Sequence, residues 1–347
     1  MPKTDIKSMT LDELARETAS SGLPSFRAGQ IFDWLQVRGA TDFEEMTNLP
    51  KSLRAELAQR YELRSCTVVR RLESKDDTVK YLFRLIDGEC VESVLMHYKY
   101  GYTLCVSSQV GCKMGCAFCA STLGGFVRSL TASEILSQIH AAQRDRGVRV
   151  SHVVLMGMGE PLDNFDNVMR FLDLVGDAKG LNLSMRNISL STCGLVPRIY
   201  DLMERDYPLT LSISIHAPND EIRSRIMPVN RSYPIEELLR ACRVYAERTK
   251  RRISFEYTMI HGVNDSDACA RELAGRLRGM LAHVNLIPAN EFRESPYARS
   301  GADRVERFAE ILRKCGVNAT VRRSLGSDID ASCGQLRLHN QKEVDRT

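Results

Sequence analysis

The apolar positions of this chain change their spacing twice. Over residues 1–60 they recur at helical intervals: Leu11, Leu14, Ala15 and Thr18 share a face, Thr10 or Ser8 can cap it, and Ser21-Gly22-Leu23-Pro24 ends it. The stretch from Phe26 to Leu35 repeats the pattern, and Asp42-Phe43 and Asn48-Leu49-Pro50 punctuate a third helix. A small helical domain at 1–60 is expected, with Trp34 in its core. Between residues 61 and 100 the period drops to two. Val68, Arg70 and Leu72 alternate, then Val79–Leu85 and Cys90–Met96 flank an Asp87-Gly88 turn, which predicts a β-hairpin extension. Alternation turns Glu92 away from Val91, as an exposed strand carboxylate would be.

From residue 101 onward strands and helices alternate. The strand-like runs are Thr103–Ser107, His152–Met156, Ile188–Ser191, Leu209–Ile215, Arg252–Met259, His283–Ile287 and Asn318–Arg322. Amphipathic stretches near 131–146, 165–178, 196–205, 234–249, 266–280 and 302–315 lie between them. This rhythm predicts an α/β fold of parallel strands with crossover helices. Six units are too few for a closed eight-fold barrel, so a partial (β/α)6 TIM-like barrel is expected over 101–323, followed by a C-terminal tail at 324–347. Chemistry in such folds gathers at the carboxyl ends of the strands.

Composition narrows the class. With 347 residues, 43% hydrophobic and 27% charged, the chain reads as an ordinary globular protein. No apolar run is long enough to cross a bilayer and no basic–apolar leader opens the chain, so a cytoplasmic location without membrane contact is expected. Eleven cysteines in a reducing compartment point to free, metal-bound or catalytic thiols. A net charge of +4 excludes a strongly basic nucleic-acid binder overall and leaves only local patches for RNA.

The candidate chemistry centres on Cys112-Lys113-Met114-Gly115-Cys116-Ala117-Phe118-Cys119. Three thiols on one compact loop can hold one face of a small metal centre. A structural zinc site wants four closed ligands, whereas an iron–sulfur cube can leave its fourth iron free. Half of a zinc knuckle, or three small core residues, are the blander readings. Strand His152–Met156 then runs into Gly157-Met158-Gly159-Glu160-Pro161. The glycines permit close backbone approach, and Glu160 can accept from the ammonium of an amino acid bound at the open iron. Further strand ends offer Ser191-Thr192-Cys193-Gly194, Ser214-Ile215-His216-Ala217 and Pro288-Ala289-Asn290, small polar groups suited to a nucleoside. Two more cysteines stand apart. Cys105 lies inside a strand, and Cys333 lies in the tail segment Gly326-Ser327-Asp328-Ile329-Asp330-Ala331-Ser332-Cys333-Gly334, where Asp328 and Asp330 can anchor the turn.

CxxxCxxC with an aromatic before its last cysteine resembles the signature of radical S-adenosylmethionine enzymes. The flanking Leu104-Cys105-Val106-Ser107-Ser108-Gln109-Val110-Gly111-Cys112 narrows the likeness to the methyltransferases acting on carbon 2 of adenine in 23S rRNA and tRNA. It runs from about residue 8 to about residue 337. The resemblance implies one 4Fe-4S cluster on Cys112, Cys116 and Cys119. It further implies two S-adenosylmethionine molecules per turnover, held by Gly159, Glu160, Ser191, Ser214, Ile215, His216 and Asn290. By the same likeness Cys333 carries the methyl group, Cys105 resolves a transient protein–RNA crosslink through a disulfide, and Glu92 removes a proton. Thiols suit that task because carbon 2 of adenine lacks a nucleophilic lone pair, whereas a thiolate is readily methylated. The implied targets are adenosine 2503 of 23S rRNA and adenosine 37 of tRNA, presented unstacked. The implied partners are those RNAs and an electron donor such as flavodoxin, with the enzyme a monomer and residues 1–60 helping to grip RNA. Those residues have mixed charge, eight Lys/Arg against nine Asp/Glu. Arg128, Arg225, Arg299, Arg322 and Arg323 are candidates for phosphate contacts.

Three alternatives remain at this stage. A sister family methylates carbon 8 of the same rRNA adenosine, and Pro161 and Pro288 look like the carbon-2 enzymes instead. A zinc-stabilised RNA-binding protein would use the cysteine loop without chemistry. A disulfide oxidoreductase would need Cys105 and Cys333 but neither a cluster nor Glu160.

Overall fold

A computed structural model describes residues 3–290, 295–323 and 325–329. The N-terminal region holds a short strand β1 (Thr4–Asp5), helices α1 (Leu11–Ser20), α2 (Phe26–Phe32) and α3 (Lys51–Arg60), and β2 (Tyr61–Glu62), which pairs with β1. Thr10 caps α1 reciprocally: its hydroxyl accepts from the Glu13 N–H, and the Glu13 carboxylate accepts from the Thr10 N–H at 2.8 Å. Ile31, Phe32 and Leu35 fill the local core. Trp34, expected there, instead sits half-buried at its rim. Its indole N–H donates to Asn48 at 2.6 Å and the Arg38 guanidinium covers its ring at 4.4 Å, so its polar edge stays near water.

The antiparallel strands β3 (Thr67–Glu73), β4 (Val79–Arg84) and β5 (Cys90–Tyr98) lead into β6 (Gly101–Cys105). A separate hairpin follows, β7 (Gln109–Gly111) with β8 (Phe126–Ser129), and then α4 (Ala132–Arg146). Strand and helix alternate from there: β9 (Val150–Leu155), α5 (Phe165–Gly176), β10 (Ile188–Thr192), α6 (Val196–Met203), β11 (Thr210–Ser214), a short α7 (Asp220–Ile226), α8 (Ile235–Thr249), β12 (Ile253–Met259), α9 (Asp267–Leu277), β13 (Ala282–Pro288), α10 (Ala302–Lys314) and β14 (Asn318–Val321). One ten-stranded sheet runs in the order β14-β13-β12-β11-β10-β9-β6-β5-β4-β3, parallel from β6 to β14. Six β/α units and a last strand make the open barrel that the alternation predicts. Among the described residues β3 and β14 are its free edges.

Register shows that this sheet has two unlike faces. Cross-strand rows such as Leu95–Leu104–Val153–Ile188 and Ile213–Phe255–Val284–Ala319 point toward the helices and are buried. The intervening rows read Val94–Cys105–Val154–Ser189–Thr210, Ser191–Ser212–Ser254–His283–Asn318 and Ser214–Glu256–Asn285–Thr320. A fully buried parallel strand is normally apolar on both sides. Here the outer face supplies the core, at roughly 1.5–3 kcal/mol per large apolar side chain removed from water. The inner face carries hydroxyls, amides and the carboxylates of Glu92 and Glu256.

Candidate active site

The cysteine loop hangs from the β7–β8 hairpin. Gly111 makes its entry possible: it sits at φ +75°, and a side-chain carbon there would fall 1.7 Å from the Gly125 carbonyl oxygen. The Cys112 N–H donates to that oxygen at 3.2 Å, the Cys119 N–H to the Cys116 carbonyl at 3.1 Å, and the Ala117 N–H to Ile226 at the end of α7 at 2.9 Å. All three thiols are half-buried. Burial first, and then the neighbouring thiols, push Cys112 up to about 12 and Cys116 higher still. Positive charge on a bound metal is what converts such thiols to ligands.

Glu160 closes the second strand end. It is buried, and its oxygens accept from the Leu162 N–H at 3.0 Å and the Cys193 N–H at 2.8 Å, while its own N–H donates to Gln109 at 2.9 Å. Those bonds aim the carboxylate and leave each oxygen a second lone pair. Burial outweighs them and raises its pKa, a bias that an ammonium ligand would relieve. Gly159, at φ +98°, lies against Gln109, whose side chain would be struck at 2.5 Å by any added carbon. The same glutamine donates to Asp163, which pairs with Lys113 of the cysteine loop at 2.8 Å.

Ser191 and Ser214 are half-buried on the inner face, and Asn290 is exposed beyond β13. The Ile215 and His216 N–H groups both donate to the Glu256 carbonyl, at 3.1 and 3.3 Å. His216 is held at φ +51°, a strained position for a non-glycine residue, and its Nδ1 accepts from the Thr258 N–H at 2.9 Å. Burial and then the nearby Arg223 charge lower its pKa to about 3, so the ring is neutral. Its edge meets Phe118 of the cysteine loop, 4.8 Å between centroids.

The structure corrects the reading of Glu92 as an exposed carboxylate. It is wholly buried and paired with Lys80 at 3.1 Å, because β4 and β5 turn both residues to the inner face. On β5, Val94 lies opposite Cys105 and Glu92 two residues back, so Glu92 and Cys105 are diagonal neighbours on one face, with backbone positions about 7–8 Å apart by strand geometry. Cys105 forms a small buried cluster with Val94 and Met96, against which Met156 and Leu325 pack. Beyond Leu325, residues 326–328 are tied down: Gly326 donates to Asp76 at 2.9 Å, and Asp328 accepts from the Ser74 hydroxyl and the Lys75 N–H. Cys333 and Asp330 lie outside the described residues.

Comparison with known proteins agrees with this geometry. The profile of the Radical SAM superfamily matches residues 106–271, and that of the ribosomal RNA large subunit methyltransferase N-terminal domain matches residues 4–63. A relative from Lachnoclostridium phytofermentans named as a dual-specificity RNA methyltransferase RlmN is 53% identical, over 96% of this chain and 94% of its own. One of the same name from Lachnospira eligens is 50% identical over 99% of both. The chain belongs to the RlmN family. A crystal structure of a radical SAM methyltransferase from Sphaerobacter thermophilus, 48% identical, superposes with a TM-score of 0.91 over 96% of this chain and 98% of that one.

As an RlmN-type enzyme the chain is a radical S-adenosylmethionine RNA methyltransferase that uses a 4Fe-4S cluster. The residues present fit the cluster: the donors are all sulfur, and Cys116 lies close enough to Cys119 and Cys112 to feel the charge of both. Among the described residues no three His, Cys, Asp or Glu side chains converge as on one metal ion. A cube asks something different, one thiolate on each of three irons. No helix among the described residues is long and apolar enough to cross a membrane. Of the RlmN chain's candidate phosphate ligands, Arg128 is instead consumed internally, by Glu134 at 2.8 Å and Asp87 at 2.6 Å.

Sequence reasoning missed two residues of this RlmN site. Lys80 had a readable signal, a cation set between Val79 and Tyr81 in the strand beside Glu92. Arg223 had none. It is fully buried on α7 and donates to the carbonyls of Cys193 at 2.6 Å, Ser214 at 3.2 Å and Ile215 at 3.1 Å, and to Asn230 at 2.9 Å. One guanidinium thus fastens two strand ends to the helix that supports the cysteine loop.

Proposed function

We propose that this enzyme methylates carbon 2 of adenine, at adenosine 2503 of 23S rRNA and adenosine 37 of tRNA, by relaying the methyl group through Cys333. The observation that carries the reading is the shared sheet face of Glu92 and Cys105, with Leu325 packed against the apolar cluster that Cys105 forms with Val94 and Met96. Cys112, Cys116 and Cys119 hold the cluster. Glu160 receives the methionyl ammonium of S-adenosylmethionine, with Gly159, Ser191, Ser214, Ile215, His216 and Asn290 around the rest. When bound, the cluster supplies the electron that splits a second S-adenosylmethionine, and the resulting 5′-deoxyadenosyl radical takes a hydrogen from the S-methyl group of Cys333.

The chain's own groups do the remainder. The methylene radical on Cys333 adds to carbon 2 and tethers the base. Glu92, its charge balanced by Lys80, takes the carbon-2 proton, and the unpaired electron of the adduct would return to the oxidised cluster. The Cys105 thiolate then attacks the Cys333 sulfur, the carbon–sulfur bond breaks with its electron pair going to the methylene carbon, that carbon takes a proton from water, and the methylated base leaves behind a disulfide that thiol exchange reopens. Two S-adenosylmethionine molecules are used per turnover. Residues 1–60 serve as an RNA-gripping module, 61–100 as an extension carrying the base, 101–323 as the barrel and 324–347 as the carrier tail. The enzyme works as a cytoplasmic monomer fed electrons by a protein such as flavodoxin.

Mass spectrometry of digested rRNA and tRNA after anaerobic turnover tests this. The expected product is 2-methyladenosine; 8-methyladenosine would refute the regiochemistry. Cys333→Ala should abolish product with the cluster retained, and Cys105→Ala should accumulate a protein–RNA crosslink. Free methylated RNA at undiminished yield from either variant would refute the relay.

A further inference from the structure

The edge of the sheet next to Glu92 carries a one-residue irregularity with a chemical consequence. In the β3–β4 pair Thr67 lies opposite Arg84 and Val68 opposite Phe83, but the next matched pair is Arg70 with Leu82. Val69 is therefore an extra residue, a bulge. Without it Arg70 would face Tyr81 on the outer side of the sheet. With it, Arg71 takes that outer place and bonds Asp145 of α4 at 3.1 Å, beside the Tyr81 hydroxyl at 2.8 Å from the same carboxylate. Arg70 is turned inward. Bulges at sheet edges commonly re-aim a side chain in this way.

The two sides then differ in how their charges are used. Outside, Arg71 and Arg146 are neutralised by Asp145, Glu73 and Asp77. Inside, Arg70 and Arg84 are exposed, and neither side chain has a hydrogen-bonded or ionic partner among the described residues. Arg70 stands in the row Arg70–Leu82–Glu92, two strand spacings or about 10 Å from the carboxylate, and Arg84 lies one row over. That reach spans the step from a base to the phosphates flanking it.

We infer that Arg70 and Arg84, presented by the Val69 bulge, form a phosphate-binding seat for the RNA strand on either side of the target base. The inference rests on the proposed use of Glu92 at the reacting base. Two unpaired guanidiniums beside a site that must receive an RNA loop complement its backbone charge, and each can grip a phosphate with two parallel N–H donors. A solely structural account also exists, since charged residues on an edge strand discourage sheet-to-sheet association.

The test measures binding of a fluorescein-labelled tRNA anticodon stem-loop to the cluster-loaded enzyme by anisotropy across a salt series. Arg70→Gln with Arg84→Gln should weaken binding roughly tenfold and flatten the slope of log Kd against log salt by about 1.5, roughly 0.7–0.9 for each of the two lost phosphate contacts. The paired lysine variants should keep most of that slope, which guards against a folding defect as the cause. Arg71→Gln, on the outer side, should leave RNA affinity unchanged. An unchanged slope in the double glutamine variant, with or without self-association, overturns the seat. Product identity is read separately: 8-methyladenosine with a flattened slope would sink the carbon-2 assignment and leave the seat standing, and 2-methyladenosine with an unchanged slope would do the reverse.

Discussion

The two faces of the ten-stranded sheet are built by the same strands under opposite rules. Along β12, Ile253, Phe255 and Tyr257 point outward into the helices, while Ser254, Glu256 and Thr258 point inward. The outer side is held by volume and dispersion, where a missing methylene is felt directly. The inner side is held by pairing: Glu256 is buried with a raised pKa, and Asn285 at 2.8 Å, the nearby Arg322 charge and Ser254 at 2.9 Å steady its carboxylate. Buried polar groups stabilise little for what their desolvation costs. Their concentration on the inner face marks where the molecule gives up stability to hold a ligand and run chemistry.

The sharpest way to break that contrast is at Lys80 and Glu92. Lys80→Met leaves a buried carboxylate without its counter-charge, and should destabilise the fold by roughly 3–5 kcal/mol in urea unfolding. Pairing it with Glu92→Leu should recover most of that loss, because an apolar pair of similar volume is often as stable as a buried ion pair. The double variant should nonetheless yield no methylated adenine. If it were no more stable than Lys80→Met alone, the inner face would be structural after all. On the outer side Leu190→Ala should cost about 3 kcal/mol with no such rescue available from a neighbouring charge, since the loss is a cavity. A cost under roughly 1 kcal/mol would mean that helices and sheet are not tightly packed there.

Much of this was legible beforehand because the strongest signals are local. The 3.6-residue and two-residue periods separate the N-terminal helices, the antiparallel extension and the βα units, and the thiol spacing singles out the cluster loop. What escaped was relational. Glu92 read as exposed because alternation says which residues share a face but not which face is covered. Its partner Lys80 became visible only once the β4–β5 register was known. The Val69 bulge is likewise a property of two strands, and sequence alternation alone assigns Val68, Arg70 and Leu72 to one side. Trp34 was placed in a core that Ile31, Phe32 and Leu35 already fill. Arg128 looked like a surface cation because Glu134 and Asp87 are distant in sequence or differently phased. Arg223 satisfies carbonyl oxygens, which leave no trace in residue types at all.

Two buried histidines give the finest test, because burial lowers both to about 3 on opposite sides of the sheet. His216 lines the inner rim. His140 lies on α4 against the N-terminal domain, where its Nε2 meets the Gln36 carbonyl at 3.0 Å and its Nδ1 has no partner among the described residues. A carbonyl can only accept, so the ring is the neutral Nε2–H form, and a second proton would have nowhere to bond. Lys7, itself buried, adds repulsion. In the unfolded chain the same ring titrates near its usual value of about 6.5. Above that pH neither state holds the extra proton and His140 contributes no pH dependence. As pH falls from about 6.5 toward 3 the unfolded chain binds a proton that the folded chain refuses, so stability drops by up to about 1.4 kcal/mol per pH unit for this group. His140→Gln keeps a donor for Gln36 and cannot titrate. Its urea-unfolding free energy between about pH 7 and pH 5 should therefore fall less steeply than that of the parent by up to one proton's worth. Parallel slopes would mean that the N-terminal domain opens enough to let His140 protonate in place, and that the outer side is less closed than its packing implies.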